Sequence, residues 1–326
     1  MRSLLFRLAA VALGCVVAVV VGEVSVRLFS GLRVPEPMTV DTTMNLHQRD
    51  DLLGWALRPG AADVFQGVDA RVNSLGCRGP ELTGEGPIVV ALGDSITFGA
   101  GVEEGASFVG QLGERFAGEA RILGCGVSGW NLEQMMLRYD RDLAQLGPKV
   151  VVVNLFLDDT SPRYVLDDRS VSSWLRLRSA AYRRAEMSRL WPRPGNRPLP
   201  TWALTSEEYQ QRIEERFEGW VGQLVGDGIQ VVAVVHPFLG PRGPGFGNSA
   251  EDAAERARRK GASVIVLRPL YERATRGTIE SLSIAPHDFD PHPTRAGHTI
   301  VADELERELR RGPHVSAASS AAPGPE

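Results

Sequence analysis

The sequence predicts an α/β domain built on a parallel sheet with helices on both faces. Three observations carry this. From Ile88 onward, short apolar runs rich in β-branched residues alternate with amphipathic segments of helix length. The run from Val150 to Leu157 is almost continuously apolar, as a strand covered on both faces must be. The first run, Ile88 to Leu92, stops at Gly93-Asp94-Ser95 and passes directly into helix-like residues. That places a serine at the carboxyl edge of a sheet, where such folds bind ligands.

The elements follow in order. Ile88 to Leu92 reads as a strand, Ser107 to Phe116 as a helix, Ala120 to Leu123 as a strand and Leu132 to Leu146 as a helix. After the strand Val150 to Leu157 comes a long insertion. Ser206 to Leu224 is then a helix, with Ser206 as its cap and Glu207 and Glu208 in its first turn. Ile229 to Val235 is a strand, Ala250 to Lys260 a helix and Ser263 to Leu267 a strand; Thr294 opens a last helix running to about Arg310. Asp50 to Gly79 is rich in turn residues, with short strand-like pieces such as Asp69 to Asn73. The final residues, Gly312 to Glu326, are Ala, Ser, Pro and Gly in the main and read as a disordered tail.

The first residues have a different character. After Arg2 and Arg7, Leu8 to Gly22 carries no charge. As a helix, Leu4 to Gly22 would rise ~28 Å, close to the hydrocarbon thickness of a bilayer. No A-x-A-like cleavage site follows, and Glu23-Val24-Ser25-Val26-Arg27 continues in helical style. An uncleaved signal anchor is therefore favoured over a cleaved signal peptide. Arg2 and Arg7 orient the N-terminus to the cytoplasm, with Arg27 and Arg33 weakening the bias. The expected location is the bacterial inner membrane, single-pass, with the rest of the chain in the periplasm or outside the cell.

Bulk properties exclude other classes. The 326 residues carry a net charge of −4, which argues against a nucleic-acid partner. Three cysteines rule out a disulfide-rich scaffold and form no zinc-type cluster. Cys77 and Cys125 are either a pair formed in an oxidising compartment or two buried free thiols. Between Asp159 and Thr205, nine arginines (163, 169, 176, 178, 183, 184, 189, 193 and 197) face only Asp167, Asp168 and Glu186. Two readings are open for this insertion: a helical cap with a solvated basic face, or a surface for phospholipid headgroups or an anionic glycan.

Ser95 is the candidate nucleophile. The G-x-S-x-G elbow is absent, because Thr97 holds the last glycine position. A serine needs a base, and the base a third group to orient it. Among six histidines His292 has the best context, with Asp290 two residues upstream and Pro291 and Pro293 stiffening the turn. His298 falls on the last helix, where a structural role is expected. A metal site at His287, Asp288, Asp290 and His292 is disfavoured, since the cluster is loop-borne and lacks a helical i, i+4 His pair. Gly124-Cys125-Gly126-Val127-Ser128-Gly129 has the form G-x-G-x-x-G, but no acidic residue follows at the spacing a dinucleotide site needs. No cofactor and no metal are expected.

These pieces resemble the SGNH/GDSL hydrolase superfamily over roughly Leu53 to Leu309. The residues that carry the resemblance are Gly93-Asp94-Ser95, Gly126-Val127-Ser128-Gly129, the end of the third strand, and Asp290-Pro291-His292-Pro293 with Gly297. Asn73-Ser74-Leu75-Gly76-Cys77-Arg78-Gly79 looks like the NS-x-GfRG segment of membrane-anchored bacterial members. The resemblance implies a flavodoxin-like three-layer α/β/α sandwich and a Ser95–His292–Asp290 triad, with Asp94 supporting the nucleophile. It also implies an oxyanion hole made by the Ser95 and Gly129 N–H groups. The third donor, an Asn in the family's G-x-N-D block, matches Asp158 in Leu157-Asp158-Asp159. An ionised Asp158 repels an oxyanion. The choices are a protonated Asp158 beside Asp159, Asn154 as the donor, or no third donor. The family's D-x-x-H is shortened to D-x-H, as in members that acetylate or deacetylate envelope polysaccharides, and Gly124 stands where many members place an Asn.

Four parts are expected: a signal anchor with its juxtamembrane segment (1–34), a linker and N-terminal extension packed on the core (35–86), a hydrolase-like domain (87–311) with the basic insertion at about 160–205, and the tail (312–326). The expected function is a serine esterase or acyl hydrolase acting on short-chain or acetyl esters of the cell envelope. Its partners would be the acyl-ester substrate, an envelope glycan or lipid, and the membrane. The alternatives are an O-acyltransferase or a catalytically degenerate polysaccharide-binding protein on the same fold.

Overall fold

Strand β5 (Ile88–Gly93) is buried along its whole length and leads directly to Ser95. In the computed structural model of the chain, the described residues are 2–29, 46–157, 159–160, 175, 179, 181–182, 206–239, 249–285 and 292–315. Contacts divide the chain into two compact units, Met1–Val40 with Pro162–Tyr209, and Asp41–Ser161 with Gln210–Glu326.

The first unit contains helix α1 (Arg2–Phe29). Its stretch Ala10–Leu28 is long and apolar enough to cross a membrane, and Val11, Leu13, Val16, Val17, Val19, Val20 and Val21 are exposed. Glu23 accepts hydrogen bonds from Arg27 Nε (2.7 Å), Ser179 Oγ (2.8 Å) and the Ala181 N–H (3.0 Å). The nine arginines of the insertion lie outside the described residues.

The second unit opens with two hairpins, β1 (His47–Asp50) with β2 (Gly54–Leu57) and β3 (Ala62–Phe65) with β4 (Val68–Arg71). The β3–β4 turn takes positive φ at both Gln66 (49°) and Gly67 (81°), the signature of a type I′ turn. Gln-Gly is a weaker hairpin signal than Asn-Gly, so the pairing is hard to see in sequence.

The sheet proper joins β5, β6 (Arg121–Gly126), β7 (Val150–Leu155), β8 (Gln230–Val235) and β9 (Ser263–Val266), all parallel, in the order β6-β5-β7-β8-β9. Counted from the first sheet strand this is 2-1-3-4-5, the flavodoxin-like order expected from the resemblance. Its switch point lies between β5 and β7, the place where such folds bind ligands, and Ser95 follows the carboxyl end of β5.

Helices α2 (Ser95–Phe98), α3 (Phe108–Arg115), α4 (Leu132–Arg138), α5 (Ser206–Gly226), α6 (Ser249–Arg259), α7 (Arg268–Thr275) and α8 (Arg295–Arg311) complete the fold. On one face, Val89, Ala91, Val150, Val152, Val232 and Val234 pack against Phe108 and Leu112 of α3, Tyr271 of α7, and Val301, Leu305 and Leu309 of α8. Fully burying one such side chain contributes roughly 1.5–3 kcal/mol, so these helices are held by packing more than by propensity. The alternate strand residues Val90, Leu92, Val151, Val153, Val231 and Ala233 are equally buried.

Observed ends agree with the sequence pattern to within three residues, the largest offset being β6, which runs to Gly126 where Leu123 was expected, with three departures. The helix expected from Leu132 to Leu146 stops at Arg138, widens into a π turn at Tyr139–Leu143 and finishes as a 3₁₀ turn. There Trp220 Nε1 donates to Asp140 and Arg138 to Asp142, contacts that no local pattern encodes. Helix α7, with Pro269 in its first turn, has no counterpart in the sequence reading. The core runs on to Val315, which is buried, so residues 313–315 belong with the fold.

Cys77 and Cys125 are a disulfide. It fastens the turn-rich extension to β6, the strand next to β5.

Candidate active site

The loop that carries Ser95 is a strand end, a cap and one helical turn. Gly93 ends β5 because a Cβ there would lie 2.0 Å from Thr97 Oγ1, and Thr97 folds back over that strand end. Asp94 is the N-cap of α2 and accepts the Ile96 N–H at 2.9 Å. Ser95 is the first residue of α2, so its own N–H has no acceptor within the helix. Gly99 closes the turn in the left-handed region (φ 79°), and the Gly99 and Ala100 N–H groups both donate to the Ser95 carbonyl at 3.0 Å.

His292 reaches this loop from the other end of the chain. Its Nε2 lies 2.8 Å from Ser95 Oγ, and both residues are half-buried. The His292 backbone is fixed on both sides: its carbonyl accepts the Ile284 N–H at 3.0 Å, and the Thr294 N–H donates to the Leu282 carbonyl at 2.6 Å. Asp290 lies outside the described residues, as do His287 and Asp288.

Gly129 lies in the turn that follows β6. Gly126 is paired with Gly93, the Val127 N–H donates to the Gly93 carbonyl (3.1 Å), and the Trp130 N–H closes the turn on Val127 (3.1 Å). Gly129 takes φ 77° there, a backbone state suited to glycine. Two tryptophans lock this turn to the N-terminal hairpins: Trp55 Nε1 donates to the Ser128 carbonyl at 3.0 Å, and Trp130 Nε1 to the Trp55 carbonyl at 2.9 Å.

The glycine pattern here has an internal use. A Cβ on Gly126 would meet Phe98 N at 2.4 Å and Asp94 O at 2.7 Å, and one on Gly124 would meet Val109. Downstream, Asn131 and Gln134 form a reciprocal capping box on α4. The glycines thus make room for α2 and α3, which accounts for G-x-G-x-x-G without a dinucleotide.

Beneath the loop lies a layer of neutral polar groups. Asn154 Nδ2 donates to the Leu92 carbonyl (3.0 Å), so its Oδ1 faces His236, and His236 Nε2–H is the donor at 2.9 Å. Asn154, one of the readings for a third oxyanion donor, therefore supports the end of β5 from below. Burial pushes His236 down to about 3. Burial also pushes His298 down to about 3, with repulsion from His236, His292 and Arg78 adding to it. His298 Nδ1 accepts the Phe108 N–H (3.3 Å), a structural role as expected. Asp159 is buried, and its carboxylate accepts the Phe156 N–H (2.7 Å); its neighbour Asp158 lies outside the described residues.

Chemically, a hydroxyl with an imidazole nitrogen at hydrogen-bond distance can be deprotonated as it attacks. Sequence reasoning located Ser95 and His292 but passed over Trp55, His236 and the buried Arg78. Only Arg78 had a signal, within the segment Asn73 to Gly79.

Among solved structures the chain is similar to an acetylxylan esterase from Geobacillus stearothermophilus, at 14% identity and TM-score 0.46, covering 70% of this chain and 96% of that one. It is similar to the acetyl xylan esterase AlAXEase at 17% identity and TM-score 0.43, covering 68% and 99%. A third is an α/β hydrolase from the metagenome of Lake Arreo, Spain, at 16% identity and TM-score 0.42, covering 74% and 99%. No curated protein matches. The family model described as GDSL-like Lipase/Acylhydrolase matches residues 91–300, most of the chain and all of the sheet beyond the start of β5. The chain belongs to the GDSL-like lipase/acylhydrolase family.

Proposed function

We propose that this chain is a membrane-anchored serine esterase that cleaves short-chain acyl esters in the cell envelope, using Ser95, His292 and Asp290. The observation that carries the reading is the 2.8 Å contact between His292 Nε2 and Ser95 Oγ. For Nε2 to accept the serine proton, the imidazole must carry its own proton on Nδ1. Asp290, two residues upstream, is the acceptor for that proton.

Ser95 Oγ attacks the ester carbonyl while its proton passes to His292 Nε2. The Ser95 and Gly129 N–H groups receive the oxyanion. Collapse expels the alcohol, which takes the proton from His292, and leaves an acyl-Ser95. Water, deprotonated by His292, then attacks the acyl carbon; the acyl–Oγ bond breaks, the carboxylic acid leaves and His292 returns the proton to Ser95 Oγ.

The envelope location is supported by the exposed apolar stretch Ala10–Leu28 and by the Cys77–Cys125 disulfide, which suits an oxidising compartment. The test is turnover of p-nitrophenyl acetate by the detergent-solubilised chain. Ser95→Ala and His292→Ala should each bring it to background. Wild-type rates in Ser95→Ala would show the triad assignment to be wrong. Acyl transfer to an added sugar hydroxyl, in place of hydrolysis, would favour the transferase alternative.

A further inference from the structure

We propose that Arg78 is a positioning residue for the nucleophile: its guanidinium clamps the exit of α2, so that Ser95 keeps its register with His292. This deepens the esterase reading and rests on it.

Helix α2 is a single turn and cannot hold itself. Its N-terminal side has the Asp94 cap. The Gly99 and Ala100 N–H groups go to its Ser95 and Ile96 carbonyls, and neither reaches the Phe98 carbonyl at the exit. Arg78 fills that gap: Nη1 donates to the Phe98 carbonyl at 2.8 Å and the Gly99 carbonyl at 2.6 Å, and Nη2 to the Val102 carbonyl at 2.9 Å and the Asp69 carbonyl at 3.3 Å. The guanidinium also lies 4.9 Å from the centre of the Phe98 ring.

The arrangement is unusual in its electrostatics. Arg78 is only 6% exposed, and its side-chain hydrogen bonds go to backbone carbonyls. Among the described residues no carboxylate forms an ion pair with it, although Glu104 and Glu103 act on it at longer range; burying a cation in this way is expensive, and a Met or Leu would fill the space more cheaply. A planar fork, however, spans four carbonyls at once, which an ammonium cannot do.

The clamp is itself anchored. Arg78 bridges to Gly124 of β6 and to Val72, and the adjacent Cys77 is bonded to Cys125. The transmission path to Ser95 is one turn long, because the Gly99 and Ala100 N–H groups hold the Ser95 carbonyl. A shift of the α2 exit is therefore a shift of the nucleophile.

The experiment uses the detergent-solubilised full chain and its Arg78→Lys and Arg78→Ala variants. It measures kcat and KM for p-nitrophenyl acetate, the rate at which a fluorophosphonate labels Ser95, and Tm. Misplacement by about 1 Å can reduce rate on the order of 10²-fold. We expect a loss of that order in kcat and in labelling, with KM within about threefold, and no recovery of kcat in Arg78→Lys. Added ethylguanidinium should restore part of the kcat of Arg78→Ala, and ethylammonium should not. Wild-type kcat and labelling in a folded variant would overturn the proposal. So would a failure of both variants to fold, which would make Arg78 purely structural. Should Arg78→Ala alone fail to fold, Arg78→Lys decides. Retained turnover in Ser95→Ala would instead sink the esterase reading itself.

Discussion

Replacing Gly126 with alanine tests how the nucleophile loop is held without touching any reacting group. The new methyl would lie 2.4 Å from Phe98 N, 2.6 Å from Thr97 Cβ and 2.7 Å from Asp94 O. Ordinary contact needs about 3.5 Å, so α2 must retreat from β6 by roughly 1 Å, and two of the three obstacles are backbone. Overpacking of this kind costs about 1–3 kcal/mol. In a unit of this size that corresponds to a Tm fall of roughly 2–12 °C. A domain stable by about 5–15 kcal/mol stays folded at 25 °C after such a loss, so the folded fraction does not explain a change in rate. Geometry does: the 2.8 Å contact from Ser95 to His292 has little slack before it ceases to be a hydrogen bond. The expected fall in kcat/KM for p-nitrophenyl acetate is about 10²-fold at 25 °C. Gly113→Ala is the control. Nothing lies within 4 Å of its added Cβ, it is inside α3, and it should gain about 0.5–1 kcal/mol with unchanged kinetics. Wild-type kcat/KM in Gly126→Ala would refute the account of how β6 seats α2.

Three further outcomes are expected. Reducing Cys77–Cys125, which are 48 residues apart, should lower stability by about 4 kcal/mol on the chain-entropy estimate; an unchanged melting curve in reductant would contradict it. Acid should destabilise the fold through His236 and His298. Their folded pKa, about 3, lies below the unfolded 6.5, so the unfolded chain binds more protons between those values and stability falls as pH drops through that window. By pH 5 each should have lost about 2 kcal/mol, read as a falling Tm, and a Tm flat from pH 7.5 to 5 would be inconsistent with neutral buried imidazoles. Asp158→Asn should raise kcat, by up to about 10²–10³-fold if the side chain meets the oxyanion. An unchanged rate would put Asp158 outside the hole.

The sheet was legible because its strands are apolar on both faces and its helices carry local start signals. Ser107 caps α3, Asn131 caps α4 and Thr294 precedes α8, whereas Ser206, expected as the cap of α5, is its first residue. Ser95 and His292 were legible for a related reason: each stands at an abrupt change from one element to the next. What escaped notice is non-local. Nothing around Trp55 says that its indole will meet the Ser128 carbonyl 73 residues later. Asn154 looked available as an oxyanion donor because its partners, the Leu92 carbonyl and His236, come from two other strands. The two cysteines left pairing and free thiols equally open, since only the placement of the extension on β6 brings them together.

That extension changes what counts as the catalytic unit. The family match begins at Ala91, and a boundary drawn from the βαβ rhythm falls near residue 87. Yet the turn bearing Gly129 is held by Trp55, the exit of α2 is held by Arg78, and Gln134 of α4 donates to the Leu53 carbonyl at 2.7 Å. Each bond runs from a residue before β5 to the loops around its carboxyl end. A parallel sheet supplies only the strand end; its loops have no regular partner for their carbonyls and N–H groups, and some other segment must satisfy them. Here residues 46–79 do so from one side, with Cys77–Cys125 preventing their departure. Gly93-Asp94-Ser95 marks where the serine is, and the Asn73 to Gly79 segment supplies the Arg78 contacts to the exit of its turn.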